Sequence, residues 1–115
     1  MKKKPFVTKE QLEEIVKKYP TPFHLYDEKG IRENAKRLKE AFSWNKGFRE
    51  YFAVKATPNP FVIDILKKLG CGVDCSSLTE LMMAKAMKYD GEKIMFSSNE
   101  PQGREFARAC RQGAI

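Results

Sequence analysis

The stretch that decides the fold is YFAVKATPNP, residues 51–60. It has the pattern of an apolar strand that ends at Lys55, followed by a loop in which Asn59 caps a helix and Pro60 begins it. Because side chains alternate along a strand, Tyr51 and Ala53 are expected to share a face with Lys55. An inward ammonium is costly unless it is paired or loses its charge. The pattern therefore predicts a lysine that pairs with a carboxylate or condenses with a carbonyl; the simpler alternative is an amine that reaches water.

The same order of strand and helix repeats downstream. A second strand is predicted around residues 72–75, before a helix that begins with the capping box of Ser77 and Glu80. A third strand, KIMFS at 93–97, precedes a helix that ends near Gly113. Ala114 and Ile115 have the pattern of the first residues of a fourth strand. Alternating units of this kind build a parallel sheet, either doubly wound or closed into a barrel.

The length of the chain bears on this choice. A parallel barrel needs about 200 to 250 residues, and three units would leave an apolar edge strand unpaired. The chain has 115 residues. We therefore expect the N-terminal part of a larger protein, with the strand and helix units in residues 46–115.

Residues 1–45 are expected to form an extension ahead of those units. A capping box of Thr8 and Gln11 predicts a helix that ends at Tyr19. The segment TPFHLYD, 21–27, suits a short strand whose far end, Asp27, caps a second helix. The buried stripe of that helix is predicted from four apolar residues at helical spacing: Ile31, Ala35, Leu38 and Phe42.

Composition narrows the function classes. The chain is 42% hydrophobic and 32% charged, as in a soluble globular domain. Its formal charge of +7 is spread over helical segments in which basic residues stand beside acids, so we expect no nucleic-acid partner. Three cysteines without paired spacing and a single histidine predict no metal site. With no signal peptide and no apolar run of membrane-span length, we expect a cytoplasmic protein without a membrane partner.

Three stretches in order carry a family resemblance: TPFHLYD, YFAVKATPNP and GCGVDCSSLTEL at 70–81, followed by IMFSSNEP at 94–101. They are similar to the start of diaminopimelate decarboxylases, which belong to the pyridoxal-phosphate decarboxylases with the alanine-racemase type of barrel. The resemblance covers the chain from about Tyr19 to Ile115. It implies an α/β fold, the incomplete N-terminal part of a (β/α)8 barrel with about three units. It also implies that TPFHLYD belongs partly with a second, β-rich domain.

The resemblance assigns three candidate site residues. Lys55 corresponds to the lysine that holds pyridoxal 5'-phosphate as an internal aldimine. Asp74 and Glu80 match acidic positions near the cofactor in ornithine-type members. From the residues alone, Asp74 equally suits a role in satisfying loop amides, and Glu80 suits a role as the capping partner of Ser77.

The implied activity is that of a carboxy-lyase making L-lysine and carbon dioxide from meso-diaminopimelate. The residues that bind the phosphate, the substrate and the ring nitrogen are expected beyond Ile115, so the chain alone is expected to be inactive. The full-length protein is expected to bind a small amino-acid substrate and to form a homodimer. Three alternatives stay open: an ornithine, arginine or carboxynorspermidine decarboxylase of the same fold, a non-catalytic cofactor-binding homologue, and a basic α/β binding module without a cofactor.

Overall fold

The computed structural model describes residues 4–100 and 102–115, and a parallel sheet organises it. Strands β1 (Tyr51–Ala53), β2 (Gly72–Cys75) and β3 (Ile94–Phe96) lie side by side in chain order. Helices α3 (Pro60–Lys68), α4 (Leu78–Ala86) and α5 (Gly103–Arg111) follow them in turn. The predicted α/β class with successive strand and helix units is confirmed.

A fourth position in the sheet begins at the end of the described chain. The amide of Phe96 donates to the carbonyl of Ile115 at 2.8 Å, and the amide of Ile115 donates to the carbonyl of Ile94 at 3.0 Å. These bonds continue the parallel ladder beyond β3. The prediction that Ala114 and Ile115 begin a fourth strand is supported for Ile115 only, since the amide of Ala114 donates to the carbonyl of Ala109 at 3.1 Å, at the end of the last helix.

The register separates the two faces of the sheet. Phe52 pairs with Val73, and Val73 with Ile94, so these side chains share one face. This face packs against the helices and forms the hydrophobic core, with Leu81 and Tyr89 almost fully buried. Sequential strands with their helices on a common face suit a barrel, whereas a doubly wound sheet reverses its strand order.

The opposite face carries side chains that are only partly buried: Tyr51, Ala53, Asp74 and Met95. We call it the open face. In a closed barrel this side of each strand points inward.

Two helices precede the sheet. α1 (Lys9–Lys18) begins with the predicted capping box of Thr8 and Gln11 and is followed by Tyr19 as C-cap. α2 (Glu28–Ala41) begins at Asp27, whose carboxylate accepts from the amide of Gly30 at 3.0 Å. Neither helix contains a buried residue.

The predicted buried stripe of α2 is less buried than expected. Ile31 and Ala35 are half-buried, while Leu38 and Phe42 are 37% and 38% exposed. α2 packs against α3 and borders an open groove beside β1, so its stripe is covered on one side only.

Two strand predictions also need correction. The segment 21–27 forms no strand: residues 21–22 are a bend and residues 23–27 have no regular secondary structure. β1 ends at Ala53, two residues earlier than predicted, and Val54–Ala56 form a 3-10 turn. That turn is closed by the amide of Thr57, which donates to the carbonyl of Val54 at 3.2 Å. Alternation along the strand therefore does not extend to Lys55.

Candidate functional site

The carboxyl ends of the three strands meet at one edge of the sheet, and the predicted site residues lie there. Ala53 pairs with Asp74, and Asp74 pairs with Met95. Lys55 lies two residues beyond Ala53, and Ser97 lies two residues beyond Met95. Parallel barrels gather their chemistry at this edge, since every strand delivers its last residues to it.

Lys55 occupies the 3-10 turn that connects β1 to α3. Its side chain is exposed, whereas the neighbouring Val54 is only 1% exposed and belongs to the core. The expectation of a buried amine is therefore wrong for this chain, because the 3-10 turn ends the strand before Lys55 and places its side chain in solvent. No carboxylate of those residues lies within ion-pair distance of Lys55. The amine is thus accessible and has no ion-pair partner among the described residues, as a reaction with an aldehyde requires.

The turn that carries Lys55 is fixed at both ends. Val54 anchors it in the core. On the other side, the carboxamide oxygen of Asn59 accepts from the amide of Phe61 at 3.0 Å, so the predicted cap of α3 is confirmed. The lysine therefore stands on a short loop between two ordered elements.

Asp74 lies in the middle strand, on the open face. Its Oδ1 accepts a hydrogen bond from the hydroxyl of Ser97 at 2.5 Å. The proposed alternative role, acceptance from loop amides, is not what the structure shows. Ser97 was not among the predicted site residues. The signal for it was available in KIMFS, because Ser97 follows Met95 at the strand period of two.

Glu80 lies in the first turn of α4, where its Oε2 accepts from the amide of Ser76 at 2.6 Å. The hydroxyl of Ser77 accepts from the amide of Glu80 at 3.3 Å. The predicted capping pair of Ser77 and Glu80 is thus present, but the Glu80 carboxylate accepts from the amide of Ser76 rather than from that of Ser77. Glu80 fastens the turn that follows Asp74 and Cys75.

Cys71 and Cys75 are buried, whereas Cys110 is exposed. Cys75 has no exposed surface, and burial, followed by the charges of Glu80 and Asp74, raises the pKa of its thiol to about 12. Cys71 is also buried, and its pKa is raised mainly by burial. A thiol held neutral is a poor nucleophile, so the core cysteines contribute packing.

A groove of about 730 Å³ lies between α2, β1 and α3 and is lined by Phe52, Leu38 and Leu66 among others. It does not include Lys55, Asp74 or Ser97. The candidate site is instead an open surface at the strand ends. The residues present fit part of a pyridoxal phosphate site: an accessible amine and a carboxylate on the adjacent strand.

Fold and site together define the beginning of a parallel α/β barrel with a lysine after its first strand. Residues 28–114 match the sequence model of the family described as "Pyridoxal-dependent decarboxylase, pyridoxal binding domain". The chain belongs to this family of pyridoxal-dependent decarboxylases. The predicted cofactor class, pyridoxal phosphate, and the predicted family are confirmed at this level.

Individual relatives differ in name. The chain is 43% identical over 104 residues to protein TabA of Pseudomonas amygdali pv. tabaci, covering 90% of this chain and 24% of that protein. It is 35% identical over 101 residues to diaminopimelate decarboxylase of Methanothermobacter thermautotrophicus, covering 87% of this chain and 24% of the relative. The chain therefore spans about a quarter of the length of these relatives.

A solved structure shares the fold. Lysine decarboxylase from Selenomonas ruminantium superposes with a TM-score of 0.85 at 21% identity, over 96% of this chain and 28% of that one. At this identity the likeness concerns the fold alone. No helix of the described residues is both long enough and apolar enough to cross a membrane.

Proposed function

We propose that this chain is the N-terminal part of a pyridoxal-phosphate-dependent amino-acid decarboxylase in which Lys55 holds the cofactor. The observation that carries the proposal is the position of Lys55, whose exposed and unpaired amine follows the first strand of a family-matched parallel sheet. Bound pyridoxal phosphate supplies an electron sink for the carbanion left by decarboxylation. The chain's own contributions are an amine that condenses with an aldehyde and a carboxylate, Asp74, on the adjacent strand.

The substrate we propose is meso-diaminopimelate, with L-lysine and carbon dioxide as products. Support comes from the quoted motifs and from the 35% identical diaminopimelate decarboxylase. TabA, at 43% identity, carries no substrate in its name. The experiment below therefore includes the alternative substrates.

The remaining site and assembly predictions belong to the same proposal. We place Asp74 at the cofactor, and the cofactor contact of Glu80 stays a prediction, since its carboxylate already binds the amide of Ser76. The division at residue 45 stays a prediction, because α2 packs against α3 and the family match begins at residue 28. We expect the whole protein to be a cytoplasmic homodimer.

The decisive experiment uses the whole protein. Purified protein loaded with pyridoxal phosphate is given meso-diaminopimelate, ornithine, arginine, lysine and carboxynorspermidine in turn, and carbon dioxide release is measured. We expect release from meso-diaminopimelate only. Release from another of these amino acids would replace the substrate but keep the reaction class.

The lysine is tested with a matched pair of variants. Lys55→Ala should abolish both carbon dioxide release and the visible absorbance of the attached cofactor, while Lys46→Ala, in the loop after α2, should leave both unchanged. Cofactor absorbance without turnover on any substrate would favour the non-catalytic homologue. Unaltered absorbance in Lys55→Ala would contradict the proposal.

A further inference from the structure

We infer that Ser97 is a positioning residue that holds the Asp74 carboxylate away from Lys55 and so keeps the lysine amine available to the cofactor. This inference rests on the proposed function. It concerns a hydroxyl that lies outside the predicted site residues, one residue beyond the end of β3.

The backbone places Ser97 beside Asp74. The amide of Ser97 donates to the carbonyl of Cys75 at 3.0 Å, which extends the β2–β3 ladder past the end of β3. Asp74 pairs with Met95, and the residue two positions beyond Met95 lies on the same face. Ser97 is therefore the diagonal neighbour of Asp74, within reach of its side chain.

The side-chain contact is short and directed. The Ser97 hydroxyl donates to Asp74 Oδ1 at 2.5 Å, a separation typical of a hydroxyl bound to a carboxylate. No other side chain of the described residues forms a hydrogen bond with Asp74. One serine thus sets the orientation of this carboxylate.

The contact between Ser97 and Asp74 matters because β1, which leads to Lys55, lies on the other side of Asp74. Asp74 pairs with Ala53, and Lys55 lies two residues farther along the chain. Yet the structure gives no ion pair between them, although β1 and β2 are adjacent. An ion pair favours the ammonium form of a lysine, and this form cannot attack an aldehyde, because the nucleophile is the neutral amine. The hydrogen bond to Ser97 directs the Asp74 carboxylate toward β3, on the side away from β1.

Removing the hydroxyl should release Asp74 toward Lys55. In Ser97→Ala the carboxylate loses its described hydrogen-bond donor, and it is then free to turn toward β1 and pair with the lysine. The rate at which Lys55 reacts with pyridoxal phosphate should then fall by about 1.4-fold to fivefold, the factor expected for an exposed ion pair. Ser97→Thr keeps the hydroxyl and should restore the rate.

The experiment uses the chain itself. It is incubated with pyridoxal phosphate, the adducts are trapped with borohydride, and the modified lysines are quantified by peptide mass spectrometry. The ratio of labelling at Lys55 to labelling at the exposed Lys46 corrects for reagent and time. Ser98→Ala is the matched control, since the Ser98 hydroxyl has no hydrogen-bond partner among the described residues.

A double-mutant cycle separates positioning from a general structural effect. If Ser97 acts through Asp74, Ser97→Ala should lower the ratio in the parent sequence and leave it unchanged in an Asp74→Asn background. An equal loss in both backgrounds would contradict the inference. So would an unchanged ratio in Ser97→Ala.

A second measurement needs no cofactor. The side-chain carboxylate carbon of Asp74, observed by NMR at neutral pH, should shift in Ser97→Ala, recover in Ser97→Thr and stay in place in Ser98→Ala. If this resonance does not move, the hydrogen bond is absent and the inference is overturned, whatever the labelling shows. If it moves but the labelling ratio is the same in Ser97→Ala and in the parent chain, the inference fails, whereas the proposed function stands or falls with the Lys55→Ala test in the whole protein.

Discussion

A single glycine decides how the amino ends of the strands pack. A Cβ at Gly72 would lie 2.6 Å from Cδ1 of Tyr51 and 2.8 Å from the carbonyl oxygen of Lys93. The Tyr51 ring lies across this position and donates its hydroxyl to the carbonyl of Glu92 at 2.5 Å. Glu92 is also paired with Arg49 at 2.5 Å. The missing side chain is therefore what allows a tyrosine of β1 to reach the turn before β3.

We expect Gly72→Ala to destabilise the chain by about 1–3 kcal/mol, the usual cost of overpacking. The tyrosine cannot swing aside without losing its hydrogen bond, and the Lys93 carbonyl belongs to the backbone. The free energy of unfolding in urea measures the effect. Gly103→Ala is the control, because a Cβ there meets nothing within 4 Å. Equal stability of the two variants would show that the ring is not held as described.

At the scale of elements, each helix of the barrel units is fastened to the strand before it. α3 follows the Lys55 turn through the cap of Asn59. α4 follows β2 through Ser76 and Ser77, whose amide and hydroxyl bind Glu80. These caps define where each strand stops and hence where the site edge lies. A cap is therefore also a determinant of site geometry.

Glu80 tests this connection. Glu80→Ala should lower the free energy of unfolding by about 1–2 kcal/mol, because the Ser76 amide loses a charged acceptor. Glu80→Gln keeps an acceptor oxygen and should lose much less. Glu33→Ala, on the exposed side of α2, should have almost no effect, as its pair with Lys29 is exposed and 3.8 Å long. If Glu80→Ala is as stable as the parent chain, the carboxylate does not hold the turn.

At the scale of the whole molecule, the core is one-sided. Within residues 4–100 and 102–115, all buried hydrophobic residues lie between Val54 and Ala109, and α1 and α2 contribute none. The radius of gyration is 17.0 Å, against about 13 Å for a compact domain of this size. Titratable groups are concentrated in this small core: Cys71, Cys75 and Tyr89 are buried there.

Burial makes the stability of this core depend on alkaline pH. The pKa of Cys75 rises from 9.0 to about 12, and burial raises the pKa of Cys71 and of Tyr89 in the same direction. Above pH 9 the unfolded chain loses these protons before the folded chain does, so the free energy of unfolding falls as pH rises through this range. Below pH 9 this stabilisation is fully present.

Urea unfolding at about pH 8 and about pH 10.5 measures this loss. Cys75→Ala should show a smaller fall between the two pH values than the parent chain. Cys110→Ala should show the same fall as the parent, because Cys110 is exposed. A parent chain that is equally stable at both values would contradict the raised pKa of Cys75.

The sequence by itself determined the features that depend on neighbours along the chain. The caps at Thr8, Asp27, Asn59 and Ser77 were predictable because donor and acceptor lie within three residues of each other. The bounds of β2 were predictable from the glycine and serine positions that flank it. The lysine and its family followed from motifs, which are also local.

Only the tertiary structure decided the features that depend on register between strands. The contact of Ser97 with Asp74 joins residues 23 positions apart, and no local pattern specifies it. The early end of β1 follows from the turn closed between Val54 and Thr57, and the exposure of Lys55 follows from its position in that turn. The physical reason is common to these cases: which groups meet across a sheet is fixed by its pairing, and pairing is a property of the assembled strands.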